Sequence, residues 1–327
     1  MKKLLFILHI AIVGNIKAQQ APIALVSANG TTRLTTTLDS AALLAQDNDI
    51  IYLPGGVFAG QTQWFTKKVT VIGVGHNPDS TTATDRTFIN GYIGFQAGGT
   101  LDGVFVLGDV YISSNLKIYR TNCNSIIPAW THTENVTVEK SVIRLNITGN
   151  TGGYLLAYSL VKNSIIGNDF TSAMTGTTFE NCVFLSTGAY DASGAESNTF
   201  RNCTFTGITN WISGHTHIFR NCVFATATLP PLSDPGNASG NYLNQTGALT
   251  FDVAPITSYE YTNEYKIKTS SPAHNGGTDG KDVGIWGGNS PWVKGNVPPN
   301  PHIRSKNVDG ATGAGGTLRV RFNVGAQ

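Results

Sequence analysis

The chain has 327 residues, 13% of them charged, and a formal net charge of +2. A balance so near zero argues against a nucleic-acid partner, which needs a clustered basic surface. It also gives no strong general pull on a polyanionic polysaccharide. With 37 glycines, the composition is that of a turn-rich β-protein, and the length suits one elongated domain.

In chain order, residues 1–18 read as a Sec-type signal peptide. Lys2 and Lys3 precede the apolar run Leu4–Val13, and Ala18 offers a small residue for cleavage. That run is too short to span a bilayer, and no later stretch is long enough, so no transmembrane segment is expected. The mature chain from Gln19 is expected to be secreted or held at a cell surface. Residues 19–48 form a lead-in and a cap. Thr37–Ala45 is expected to be a short helix, capped by Thr37 or Asp39, with Leu38, Ala41, Ala42 and Ala45 as its apolar stripe. Such a helix would cover the open end of a stack of strands.

Residues 49–288 carry the strands. Asp49–Gly56 is the first strand with its turn, Val69–Gly73 the next, and Thr87–Ile93 resumes after the polar stretch Val74–Arg86. A repeat then becomes visible. Phe179–Phe184 is FENCVF, Phe200–Phe205 is FRNCTF and Phe219–Phe224 is FRNCVF. Apolar residues alternate with polar ones, the alternation breaks at Asn, then resumes. Successive strand side chains point to opposite faces, so a phase break means a bend. Asn is one of the few non-glycine residues that tolerate the left-handed backbone of a bend. Weaker copies begin at Val161, Val138, Ile118 and Thr100, so the corners fall at 102, 120, 140, 163, 181, 202 and 221, spaced 18, 20, 23, 18, 21 and 19 apart. A near-constant period of about 20 residues marks a solenoid.

Here the chain resembles the right-handed parallel β-helix proteins of the pectate-lyase-like superfamily. The resemblance spans roughly residues 35 to 288. It implies an all-β fold: a single-stranded right-handed parallel β-helix of about 18–23 residues per coil, with an N-terminal helical cap and a C-terminal capping segment. It also implies an inward asparagine ladder at one corner, here Asn163, Asn181, Asn202 and Asn221, with the amides bonded along the axis. The opening strand into Leu53-Pro54-Gly55 and the closing segment Ser271–Trp286 are similar to those of secreted bacterial members. After the Ser271–Trp286 cap, residues 289–327 are a Pro-rich linker and a C-terminal strand, Thr317–Val324. Ala248–Phe251 and Tyr265–Lys268 are expected in the last coils.

Cys182, Cys203 and Cys222 share one repeat position, so their Cβ vectors are parallel, which a disulfide torsion near ±90° disfavours. They are expected to be an inward ladder of free thiols, with Cys123 buried alone.

No catalytic set carries over from the superfamily. Its lyases hold calcium on acidic clusters, and its hydrolases use paired carboxylates. Of the hydrolase elements only Ser213–His217 offers a partial likeness. His215 and His217 would share a strand face and could hold a metal only with a third ligand. Asp279 and Asp282 leave calcium open, against the plainer reading as a capping turn. No cofactor is otherwise expected. Binding residues are expected on the long connections: His76, Asp79, Asp85 and Arg86 in one, Trp130 and His132 in another, Tyr190 and Asp191 in a third. Trp130, Tyr190 and Trp211 are candidates for stacking on sugar. Each has a plainer reading as loop packing. The leading expectation is a monomeric, exported protein that binds a polysaccharide or cell-surface glycan along its side. A polysaccharide lyase or glycoside hydrolase with a different site, and a structural surface component, are the alternatives.

Overall fold

The computed structural model describes residues 22–147, 153–168, 174–191, 196–213, 216–253, 258–293, 295–299, 302–310, 313 and 315–325. It is a parallel β-solenoid of about 8 turns, 36% strand and 6% helix. The proposed leader, residues 1–18, lies outside the described residues. Among those described, no helix is long and apolar enough to cross a membrane.

Each coil contributes one short strand to each face. The first face is a twelve-stranded sheet, parallel from Ile50–Tyr52 through Ala238–Ser239. The second is a nine-stranded sheet from Gly56–Ala59 to Val223–Phe224. The third face is assembled piecewise. Ile93–Phe95, Val110–Ile112 and Ile126–Pro128 form its first part; Thr133–Glu134, Leu156–Ala157 and Met174–Thr175 form the second. Gly188–Asp191 pairs with Ile208–Ser213 at the far end.

Exact in-register pairing makes like stack on like. Phe179, Phe200 and Phe219 pair in sequence, with successive ring centroids 4.9 Å apart. Phe184, Phe205 and Phe224 form a second column at 4.6 and 5.2 Å. All six are fully buried, and aromatic stacking of this kind adds to the area each ring removes from water.

The corners are as the phase break requires. Asn163, Asn181, Asn202 and Asn221 have φ of 42°, 53°, 54° and 49°, and Arg120 and Lys140 follow at 43° and 52°. In the coil before Arg120 the left-handed residue is Gly103 (φ 68°), not Asp102; the pairing Leu101↔Ile118 sets the corner one residue later than the sequence pattern suggests. Glycine takes this conformation without steric cost. Cys182, Cys203 and Cys222 are buried free thiols, as is Cys123. Each of the three donates to the carbonyl two residues back, at 3.3–3.4 Å. Thr121, Ser141 and Ser164 do the same with hydroxyls in earlier coils. The thiols therefore hold a polar column position as well as filling space.

The cap helix runs Leu38–Leu44, with the Thr37 side chain accepting from the Ser40 amide. Leu38, Ala41, Ala42 and Ala45 join the main core. Asp39 accepts from the Thr62 and Gln63 amides, tying the helix to the first coil. The lead-in pairs antiparallel, Ile23–Val26 with Thr32–Thr35, and closes the edge of the first sheet.

The chain after the last coil departs from expectation. Ala248–Phe251 is not a coil strand: Gly247–Thr250 is one helical turn, and Phe251 bridges Ile267 antiparallel. Residues 271–299 then run back along the corner, from late coils to early ones. Gly276 meets Asn221, Thr278 meets Asn202, Gly284 meets Asn181, and Ile285 and Gly287 meet Asn163. Ser290 donates to Glu139, and Val297 and Pro298 reach Gly75 and Gly103. The asparagine amides thus bond to this returning strap, not to one another along the axis. The strap brings its own apolar residues. Val283, Ile285 and Trp292 bury the outward residues Val142, Ile165, Val183 and Val223 of the second sheet. That is why both residues of Val142–Ile143, Ile165–Ile166, Val183–Phe184 and Val223–Phe224 are buried: one faces the coil interior, the other the strap. At the C-terminus His302–Val308 pairs antiparallel with Val320–Gly325 as a hairpin.

Candidate aromatic binding face

The third face of the first four coils carries the most distinctive exposed chemistry. Trp64, Gly94, Tyr111 and Ile127 occupy one outward column, because Phe65 bridges Phe95 and Ile93–Phe95 pairs in register with Val110–Ile112 and then Ile126–Pro128. Gly94 leaves a gap in that column. The Trp64 indole lies across it: a Cβ at Gly94 would stand 2.2 Å from Trp64 Cδ2. So placed, Trp64 reaches Tyr111 two coils away, with ring centroids 5.2 Å apart and planes at 25°. Trp130, from the loop after the fourth coil, covers the other side at 4.1 Å and 31°. Tyr92 meets Tyr111 edge to face at 5.5 Å.

This group faces water. Trp130 is 57% exposed and Tyr92 37%. Trp130 also has φ of 65°, which a bulky residue adopts at a cost of about 1–3 kcal/mol. A strained, exposed ring held against another ring is a feature that burial alone does not explain. Polar groups sit beside the rings. Asn124 Nδ2 donates to Asp109 Oδ1 at 3.1 Å. Burial, and then the Asp109 charge, push the Tyr111 hydroxyl above the usual tyrosine range. Stacked ring faces with a carboxylate, an amide and phenol groups at their edge can hold a flat C–H surface and its hydroxyls.

The other expected residues are scattered. His132 is exposed, and its Nδ1 accepts from the Leu155 amide at 2.9 Å. Tyr190 and Asp191 lie on the strand Gly188–Asp191, and Trp211 on Ile208–Ser213; their side chains lie outside the described residues. So does His215. His217 is buried in the coil interior and accepts from the Asn198 amide. Asp279 accepts from the Lys281 amide, and Asp282 accepts from the Asn275 amide and faces His274 at 2.8 Å. Among the described residues no three His, Cys, Asp or Glu are grouped to hold a metal.

The loop Val74–Arg86 does not present its histidine to solvent. It bulges at the corner of the second coil, and His76 is fully buried there under the strap. Tyr261 donates its hydroxyl proton to the His76 carbonyl at 3.0 Å. His76 Nδ1 lies 3.1 Å from the Tyr261 hydroxyl oxygen, which also accepts from Asn122 Nδ2 at 3.2 Å. Nε2 lies 3.2 Å from the Asn296 side-chain amide. Burial, followed by the charges of Arg86 and Arg144, lowers the His76 pKa to about 3. Arg86 lies over the Phe88 and Phe105 rings at 4.9 and 4.3 Å, and Arg144 over Phe105 at 4.6 Å. Asp79 and Asp85 are exposed on the same loop.

No protein-family model, curated protein or solved structure significantly resembles this chain. The functional reading therefore rests on the site itself.

Of the platform, sequence reasoning found Trp130 and missed Trp64, Tyr92 and Tyr111. The available signal was the outward column: Trp64-Phe65, Gly94-Phe95 and Tyr111-Ile112 each place one residue out and the next in. Reading it requires the coil register, which the weak early repeats do not supply.

Proposed function

We propose that this protein binds glycan chains on its third face, with a sugar ring lying on Trp130, which Trp64 and Tyr111 support from below, and its hydroxyls meeting Asp109, Asn124 and Tyr92. The carrying observation is the Trp64–Trp130 stack, in which Trp64 is half-buried on Gly94 and a left-handed Trp130 is exposed. Coils rise by about 4.8 Å, so a platform spanning several coils matches an extended polymer lying along the solenoid axis. The proposal includes the expectation that residues 1–18 export the chain, which puts the platform among extracellular polysaccharides. Kinship with pectate-lyase-like β-helix proteins of bacteria is part of the same reading, supported by the parallel solenoid.

The test is a glycan array probed with the parent and with Trp64→Ala and Trp130→Ala, followed by a depolymerisation assay on every bound glycan. Binding by the parent that both variants lose supports the reading. A glycan bound equally by all three proteins overturns it. Cleavage of a bound glycan would make the face part of a lyase or hydrolase.

A further inference from the structure

We infer that the cavity beside His76 is a second binding site, one that takes a single neutral sugar ring. It stands on different residues from the aromatic platform and does not rest on that proposal. The cavity measures about 180 Å³ and lies between the loop at residues 76–80 and the returning strap. That is several times the ~30 Å³ share of one water and below the ~300 Å³ at which pockets for drug-sized ligands begin. Tyr259, Tyr261, Trp286 and Trp292 give it aromatic walls, and Glu264 and Asn296 give it polar ones.

Asn296 shows what the cavity needs. The residue is 1% exposed, and its Oδ1 is buried without a hydrogen-bond partner. Turning the amide only exchanges which of its ends is left over, since His76 Nε2 meets one of the two. Either way a buried polar atom remains, costly until a partner reaches it. A hydroxyl, which both donates and accepts, is the group that meets that need.

Charge narrows the class. Among the described residues that line the cavity, Asp79 and Glu264 are acidic and none is a lysine or arginine, and Lys266 nearby is paired with Glu264 at 2.7 Å, so an anion meets carboxylates there. Arg86 and Arg144 stand close enough behind His76 to depress its pKa, and their field disfavours a cation against that wall. What remains is an uncharged molecule rich in hydroxyl donors, with an apolar face for the rings: a pyranose, free or at a chain end.

The experiment titrates the folded protein with D-glucose, D-galactose, D-mannose and N-acetylglucosamine, read by tryptophan fluorescence and saturation-transfer NMR. At least one should bind with a dissociation constant on the order of 1 mM, as a dozen-atom ligand allows. Thr262→Trp, at an exposed position on the rim, should weaken that binding by about tenfold or more by filling the cavity. Asn296→Gly should do the same by removing the side-chain amide, since glycine keeps the left-handed φ of 47°. Trp130→Ala should leave it unchanged, so failure of the platform is told apart from failure of the cavity. If none of the four sugars binds the parent, the cavity holds only water and the inference is wrong. It is equally wrong if binding survives Thr262→Trp or is lost in Trp130→Ala.

Discussion

The coils from Phe179 to Phe224 and those from Trp64 to Trp130 share one register but put it to different uses. In the late coils four columns repeat: phenylalanine over phenylalanine at two positions, asparagine over asparagine, and thiol over thiol. In the early coils the inward columns stay apolar, as Ile51, Val71, Leu101 and Ile118 show, while the outward column varies. Gly94 leaves a gap, Trp64 lies over it, and Tyr111 receives the ring. Regular columns hold the stack together. A break in an outward column lets a side chain from one coil reach another two coils away, which a uniform ladder would block.

The sharpest way to break this comparison is inside a late column. Phe200 stacks on Phe179 and Phe219 and is fully buried. Phe200→Ala should cost about 3–5 kcal/mol of stability in urea unfolding. An outward change, Tyr111→Ala, should cost under about 1 kcal/mol. Equal losses would mean that the two regions do not divide packing from surface as described.

Next in size is the corner. Asn202 donates to Thr278 Oγ1 and accepts from the Thr278 amide at 2.9 Å. Asn202→Leu strands those groups and forces a branched side chain into a left-handed backbone. Together the two effects should cost about 2–4 kcal/mol. A loss below about 1 kcal/mol would show that the strap is held by its apolar residues alone.

These two effects also mark what was legible. The late coils were readable because Phe, Asn, Cys and Phe recur at fixed positions of the six-residue repeat, so the phase break at Asn181, Asn202 and Asn221 stood out. The corner partner was not readable. The strap pairs Asn181 with Gly284 and Asn163 with Ile285 across more than 100 positions, and nothing local in residues 271–299 announces that contact. The burial of His76 was not readable for the same reason, since its cover comes from far along the chain, Tyr261 before the strap and Asn296 within it. Trp130 was found as an aromatic in a long loop, but its partner Trp64 required the exact coil register.

His76 gives a third, smaller effect, confined to the early coils. Its folded pKa of about 3 lies below the ordinary value near 6.5. As the pH falls below 6.5 the unfolded chain takes up a proton that the folded chain refuses, so stability rises with pH and falls with acid. From neutral pH to pH 5 the loss should be about 2 kcal/mol, roughly 1.4 kcal/mol for each unit below 6.5. Below the folded pKa both states are protonated and the dependence ends. His76→Gln should remove this slope between pH 7 and 5 while the late-coil variants keep it. A parent and variant with the same slope would place His76 outside the buried network.

Trp130→Ala should reverse the pattern of Phe200→Ala. It relieves a left-handed tryptophan and exposes no core, so unfolding should change by less than about 1 kcal/mol. Binding of a glycan identified on the array should weaken by about 1–2 kcal/mol, roughly tenfold, because the ring supplies much of the stacking surface. A variant that unfolds more easily and binds as before would make Trp130 a packing residue.

The smallest expected effect is that of salt. On the platform the contacts offered to a sugar are ring faces, an amide, phenols and one carboxylate, and that carboxylate is already bonded to Asn124. None of these relies on attraction between opposite charges. At 0.1 M salt the screening length is about 10 Å, so an ion-paired ligand would lose affinity steadily as salt rises, whereas a stacked neutral one would not. Raising sodium chloride from low to moderate concentration should therefore change the dissociation constant by less than about twofold. A steep fall would mean that the glycan is acidic and is held near Arg86 and Arg144 on the second face, where two guanidinium groups meet the Phe105 ring. Substituting Arg86 with Gln would then abolish the salt effect and most of the binding, and Trp130→Ala would do neither.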